Sequence, residues 1–391
     1  MIPMSAMTQS DLAQSNALFN NYGPRALQMV RGEGVFLYDD AGKQYLDFTA
    51  GIAVCNLGHA DKGLAEVIAK QAGTLLHTSN LFLIPGQVAL AQKLADLARL
   101  AEDAKVMFVN SGTEANEAAL KLVRKYHASV VGKARTKVLS LPNAFHGRTM
   151  GALSLTPKAA YHEGFTPLVP DCVTPETLAD VLTAIDEDVA ACIVEVVQGE
   201  AGVYPLATDY LQALANRLHE VGALLIVDEV QTGVGRTGSF FAYEQVGVQP
   251  DVITLAKGLG NGVPVGAVIA RASVAAAFSP GSHGSTFGGN PLAMAASNYV
   301  VDTVTAKGFL DGVCQVSIAL EQVLRRYFTN VSGRGMMWGF DVADANTFAK
   351  QAMEQGLLVT KCSATRIRIV PPLILQEAHV ERFERIVQKL A

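Results

Sequence analysis

Apolar residues along this chain fall into two spacings. Short continuous runs, Val106-Met-Phe-Val109, Val138-Leu-Ser-Leu141, Ala191-Cys-Ile-Val-Glu-Val-Val197 and Ala223-Leu-Leu-Ile-Val-Asp-Glu-Val230, have the length and branching of buried strands. Between them the spacing becomes helical and predicts helices over Thr113–Tyr126 and Tyr210–Val221. This alternation, from about residue 60 to 300, predicts an α/β architecture with a mostly parallel sheet between helices. Ahead of it, Val35-Phe-Leu-Tyr38 and Gln44-Tyr-Leu-Asp-Phe48 flank Asp39-Asp-Ala-Gly-Lys43 and predict a hairpin. After Asn298 a long helical stretch leads to short strands over Met336–Val342, Leu357–Thr360 and Arg366–Val370, the pattern of a smaller α+β domain. The expected division is 1–55 as a segment joining the small domain, 56–299 as the large domain and 300–391 as the small one.

Composition narrows the classes. A chain of 391 residues, 50% hydrophobic and 17% charged, suits a soluble protein with more than one core. A net charge of −5 and the lack of a Lys/Arg cluster argue against a nucleic-acid surface. The cysteines (Cys55, Cys172, Cys192, Cys314, Cys362) are scattered and odd in number, which predicts neither a disulfide framework nor a metal site. No run approaches the roughly 18 apolar residues of a membrane span, and Met1–Ser10 has no basic start followed by an apolar stretch. A cytoplasmic protein without a membrane or nucleic-acid partner is the expectation.

The polar residues that end these runs carry the chemistry. Lys257 closes Pro250-Asp-Val-Ile-Thr-Leu-Ala-Lys257 and meets Gly258-Leu-Gly-Asn-Gly262; Asp228 ends the run that starts at Ala223. A lysine and an aspartate delivered from strand ends into loops are the pair that pyridoxal phosphate chemistry needs: an amine for the aldehyde, a carboxylate for the ring nitrogen. Asn110-Ser-Gly-Thr113 follows a strand and opens a helix. Ser111 and Thr113 have cap character there and Gly112 lets backbone approach, so simple capping and a phosphate cradle are both open readings. No Gly-Lys-Thr is present, which argues against a nucleotide P-loop. Val230 and Gln231 could pack under a ring and reach a phenolic oxygen, while the glycine-rich run to Gly238 carries little weight as a second anion loop. Phe145 is a core aromatic or a stacking ring, His146 reads as a loop histidine rather than an acid–base catalyst, and Arg148 is a carboxylate fork. Ser285 and Thr286 sit in Gly284-Ser-Thr-Phe-Gly-Gly-Asn-Pro291, as phosphate donors or plain turn residues; Glu200 and Arg368 read locally as surface charges.

Together, Asn110–Leu122, Phe145–Thr149, Gln198–Val203, Leu224–Gly238, Pro250–Gly262 and Gly284–Pro291 resemble, in order and over essentially the whole chain, the class III (subgroup II) aminotransferases, fold type I of the pyridoxal phosphate enzymes. The resemblance implies Lys257 as the cofactor lysine and proton shuttle. It implies Asp228 on the ring nitrogen, Gln231 near the phenolic oxygen, and Val230 and Phe145 on the two ring faces. Ser111, Gly112 and Thr113 would hold phosphate, with Ser285 and Thr286 entering from the second subunit of a homodimer. Arg148 and Tyr22 would meet the amino donor, and Glu200 would cover Arg368 until a 2-oxoglutarate carboxylate arrives. The implied reaction is ping-pong transamination from N2-acetylornithine to 2-oxoglutarate; ornithine, succinylornithine and 4-aminobutyrate are the alternative donors. A non-catalytic binding protein of the same fold is the rival class. Val196-Val197, Asn261 and His59-Ala60-Asp61 depart from the family pattern and bear on substrate preference more than on the reaction.

Overall fold

The computed structural model describes residues 18–23, 25 and 27–390. Its centre is a seven-stranded sheet ordered Ala104–Val109, Gly266–Arg271, Val252–Leu255, Leu224–Asp228, Val189–Val194, Lys137–Ser140, Cys172–Val173. Gly266–Arg271 runs antiparallel to both neighbours, and the remaining pairings are parallel. Leu224–Asp228 is buried at every position, with Leu225 and Val227 in one apolar cluster and Leu224 and Ile226 in the other. Helices therefore cover both faces, and the alternation of a half-solvated strand is absent because no face meets water.

The helix after Ala104–Val109 spans Gly112–Tyr126, one residue earlier than its apolar spacing predicts, because Ser111 in extended conformation caps it: its Oγ accepts from Glu114 N at 3.2 Å. The helix predicted over Tyr210–Val221 starts at Thr208. The strand predicted to continue to Val197 stops at Val194, and Val197–Gln198 pairs instead with Tyr204–Pro205 in a separate ribbon.

The predicted hairpin, Phe36–Asp39 with Gln44–Asp47, gains a third strand at Met29–Glu33. It then takes Leu357–Leu358 as a parallel fourth, with Leu46 opposite Leu357. Thr360–Lys361 leaves for another sheet ordered Thr329–Arg334, Met337–Asp341, Arg366–Ile369, Thr360–Lys361. The single strand expected over Leu357–Thr360 is thus two pieces that stitch two sheets together. A third apolar cluster lies beneath them, where Val35, Leu46 and Phe48 meet Trp338, Phe340 and Phe383. Among the described residues no helix is long and apolar enough to cross a membrane.

Candidate active site

All the parallel strands end on one edge of the central sheet, and the polar residues that follow them converge there. Asp228 is the last residue of its strand, opposite Thr254, and Lys257 comes two residues after the neighbouring strand stops at Leu255. Between them and the Gly112 helix lies a cavity of about 380 Å³ lined by Ser111, Gly112, Thr113, Asn116, Phe145, His146, Arg148, Glu195, Asp228, Val230, Gln231 and Lys257 among others. The size suits a small organic ligand.

Asp228 is 3% exposed and held on two sides. Oδ2 accepts from Asn116 Nδ2 and from His146 Nδ1, each at 2.8 Å, and Oδ1 accepts from Val230 N at 3.0 Å. The Thr254 hydroxyl donates to Asn116 Oδ1 at 2.8 Å, which turns the amide nitrogen toward the carboxylate. Three donors hold the group as an acceptor, and Oδ1 keeps capacity for one further N–H. His146, which reads in sequence as a loop histidine, is 2% exposed and its Nε2 is buried without a hydrogen-bond partner.

Lys257 lies in left-handed backbone, φ 45°, at the start of a short 3₁₀ turn. Burial pushes its amine down to about 8; the charge of Arg368 adds to this, and Asp228, Glu195 and Glu200 oppose it. Glu195 was not singled out in the sequence. It is 5% exposed, accepts from Phe145 N at 2.9 Å and Gly199 N at 3.4 Å, and burial lifts it to about 7 despite the nearby imidazole of His146. The available signal was a lone carboxylate inside the apolar run Ala191–Val197.

At the opposite end, Gly112 and Thr113 open the helix, where N–H groups of the first turn lack intrahelical acceptors. A Cβ on Gly112 would stand 2.5 Å from Val230 Cγ1, so the glycine is required by close packing. Thr113 Oγ1 bonds Thr149 Oγ1 at 2.7 Å. Phe145 meets Tyr161 edge-on at 6.4 Å, and the exposed Arg148 guanidinium lies 3.7 Å over the Tyr161 ring.

Arg368 corrects its local reading as a surface charge: it is 1% exposed. Its Nη1 reaches Glu200 Oε2 at 3.0 Å, Gly199 O at 3.0 Å and Gln231 Oε1 at 3.4 Å. Gln231 therefore touches both the cavity and the ion pair. Tyr22 is 80% exposed and packs with Arg25 at 5.9 Å, away from the cavity lining. Ser285 and Thr286 do not line this cavity either. Ser285 Oγ accepts from Asn110 Nδ2 at 3.2 Å, and Thr286 is exposed.

The residues present fit pyridoxal phosphate. A desolvated amine faces a fixed carboxylate with a spare acceptor site, the helix start is kept clear by glycine, and Val230 and Phe145 both line the space between. Among the described residues no cluster of His, Cys, Asp and Glu could hold a metal ion.

A family model described as aminotransferase class-III matches residues 18–390. The acetylornithine aminotransferase of Aquifex aeolicus is 45% identical over 377 residues, covering 95% of this chain and 99% of the relative. Among solved structures, the N-acetylornithine aminotransferase of Stenotrophomonas maltophilia is 33% identical with a TM-score of 0.81, covering 95% of this chain and 96% of that one. The ornithine aminotransferase of Toxoplasma gondii superposes with a TM-score of 0.92 at 29% identity, covering 98% and 96%.

Proposed function

This chain belongs to the class-III aminotransferases, and on that premise we propose that it moves the terminal amino group of N2-acetylornithine to 2-oxoglutarate, yielding N-acetylglutamate 5-semialdehyde and glutamate. The observation that carries the reading is the placement of Lys257 and Asp228 on adjacent strand ends, facing one cavity.

Pyridoxal phosphate, the cofactor of this enzyme class, supplies an aldehyde for amine exchange and a protonated ring that withdraws electrons. Asp228 would take the ring nitrogen on its free acceptor site, with Asn116 and His146 preventing the carboxylate from rotating away. Val230 and Phe145 would cover the two ring faces and Gln231 would reach the phenolic oxygen. Ser111, Gly112 and Thr113 would hold the phosphate at the helix start, where the dipole favours an anion.

Lys257 Nζ, with its affinity for protons lowered by burial, is poised near neutral pH both to attack a carbonyl and to take up and return a proton. Arg148 would bind the donor carboxylate, and Tyr22, outside the cavity lining of its own chain, is proposed to assist. Glu200 pairs with Arg368 at 3.0 Å; it would cover the guanidinium while the donor is bound and give way to a carboxylate of 2-oxoglutarate, two states with different ligand contacts, as a two-substrate site requires. Two copies of the chain would form a homodimer in which Ser285 and Thr286 complete the partner's phosphate site. We place the enzyme in the cytoplasm and in arginine biosynthesis.

Initial rates on N2-acetylornithine, ornithine and 4-aminobutyrate, each with 2-oxoglutarate, test the substrate. N2-acetylornithine should give the highest kcat/KM; a preference for ornithine or 4-aminobutyrate would reassign the donor within the family.

A further inference from the structure

Arg236 is fully buried, and the chemistry above does not use it. It sits in the glycine-rich run that follows Asp228. There Gly235, at φ +85°, has no room for a side chain: a Cβ would stand 2.8 Å from Leu310 Cδ2. The arginine passes into the seam between the central sheet and the C-terminal sheet.

Its hydrogen-bond partners are all neutral oxygens. Nη1 donates to Met336 O at 3.1 Å and to Pro371 O, and Nη2 donates to Asn56 Oδ1 at 2.6 Å, while Nε has no partner. Burial lowers its affinity for protons to about 9, with Cys55 opposing. A buried cation held this way contributes less to stability than an apolar residue of the same volume can, so its value lies in the geometry that it imposes.

That geometry joins three segments. Met336 leads into the strand Met337–Asp341, where Gly339 pairs with Arg368, and Pro371 lies just past the Arg368 strand. Antiparallel pairing sets Met336 and Pro371 opposite each other at one end of these two strands, so one guanidinium ties both strands together there. On the other side, Asn56 donates to Val234 O at 2.9 Å, accepts from Leu373 N at 2.7 Å on its own carbonyl, and packs against Gly258, where a Cβ would collide with its amide. Gly258 is the residue after Lys257. The same loop is pinned by Asn261, at φ +47°, whose Oδ1 accepts from Leu57 N at 2.7 Å and whose Nδ2 donates to Gly58 O at 3.3 Å. The departure from glycine at 261 is thus accounted for: a left-handed position is filled by an asparagine, which tolerates that backbone and gains two bonds.

We infer that Arg236 is a positioning residue that, through Asn56, fixes the strand carrying Arg368 in register with the loop carrying Lys257. The inference rests on the reading of Arg368 as the guanidinium that engages a carboxylate of 2-oxoglutarate.

In the proposed switch Glu200 covers Arg368 during the donor half-reaction, so loosening this register should act more strongly on the second half-reaction. The test uses cofactor-loaded Arg236→Lys and Arg236→Met, with Asn56→Ala as the neutral variant should either arginine substitution prevent folding. Single-turnover rates are measured separately with N2-acetylornithine and with 2-oxoglutarate, and binding of glutarate, an unreactive dicarboxylate, is measured by calorimetry.

The expected result is about a tenfold loss of apparent affinity for 2-oxoglutarate and glutarate, with the donor half-reaction within about threefold of wild type and Arg236→Lys milder than Arg236→Met. Equal losses in both half-reactions, or unchanged glutarate binding, would overturn the inference. A wild-type enzyme inert toward N2-acetylornithine while still binding glutarate through Arg368 would instead remove the proposed substrate and leave the positioning role standing.

Discussion

Lys257 and Asp228 suit the proposed pairing because their surroundings prepare each for a different task. Burial and Arg368 strip the lysine of its proton near pH 8, whereas three donors keep the aspartate an acceptor. Below pH 8 the attacking free amine is the minor form; above it the free amine dominates. The rate at which apoprotein captures pyridoxal phosphate should therefore rise from pH 6 and level off above about 8, as stopped-flow absorbance would record. A rate still climbing at pH 10 would mean an ordinary lysine. Replacing Asp228 by Asn keeps its shape but removes the charge opposite the ring nitrogen. Steady-state kinetics with saturating cofactor should show kcat lower by about 10²–10³-fold, the size of a lost electrostatic contact in a buried site.

Among the elements, the strand ends were the most legible part of the chain. Continuous burial made Leu224–Asp228 and Val252–Leu255 visible as apolar runs, and the first polar residue after such a run must point out of the sheet edge. Glu195 was hidden by the same logic, being a carboxylate inside a run, and its partners are backbone groups that no side-chain pattern reports. Thr329–Arg334 escaped because it is a polar edge strand without alternation, and the split at Val359 depends on which sheet offers the next partner. The burial of Arg368 required tertiary information.

One element-level contact has a pH signature. His59 Nε2 meets Asp47 Oδ2 at 2.8 Å, tying the loop after the hairpin to the strand Gln44–Asp47. Burial lowers the imidazole, but the bond to Asp47, with Cys55 adding, outweighs it and holds the group raised to about 9. The folded state thus binds the proton more tightly than the unfolded chain. Its stabilisation is complete below the ordinary value of 6.5 and is lost as pH rises through about 9. Thermal unfolding at pH 6.5 and 9.5 should show wild type losing on the order of 2 kcal/mol more than His59→Gln across that interval. Parallel losses would remove the ion pair from the account.

At the scale of the whole molecule, the proposed homodimer would bring Ser285 and Thr286 into the partner's site; both stay outside the cavity of their own protomer. Lys257→Ala homodimers should be inactive, and Thr286→Asp homodimers should bind cofactor poorly because a carboxylate repels phosphate. A mixed dimer of the two contains one intact site and should regain about half the wild-type activity. No recovery on mixing would place Thr286 within its own subunit's site, and a fully active Thr286→Asp homodimer would place it outside the chemistry.

The central claim is that Lys257 bonds the cofactor. Borohydride reduction of the cofactor-loaded protein, followed by proteolysis and mass spectrometry, tests it directly. The account predicts the added cofactor mass on the peptide containing Lys257 and its loss in Lys257→Ala, although that variant still takes up the cofactor without a covalent bond. Cofactor mass on another lysine, or full transamination by Lys257→Ala, would contradict it.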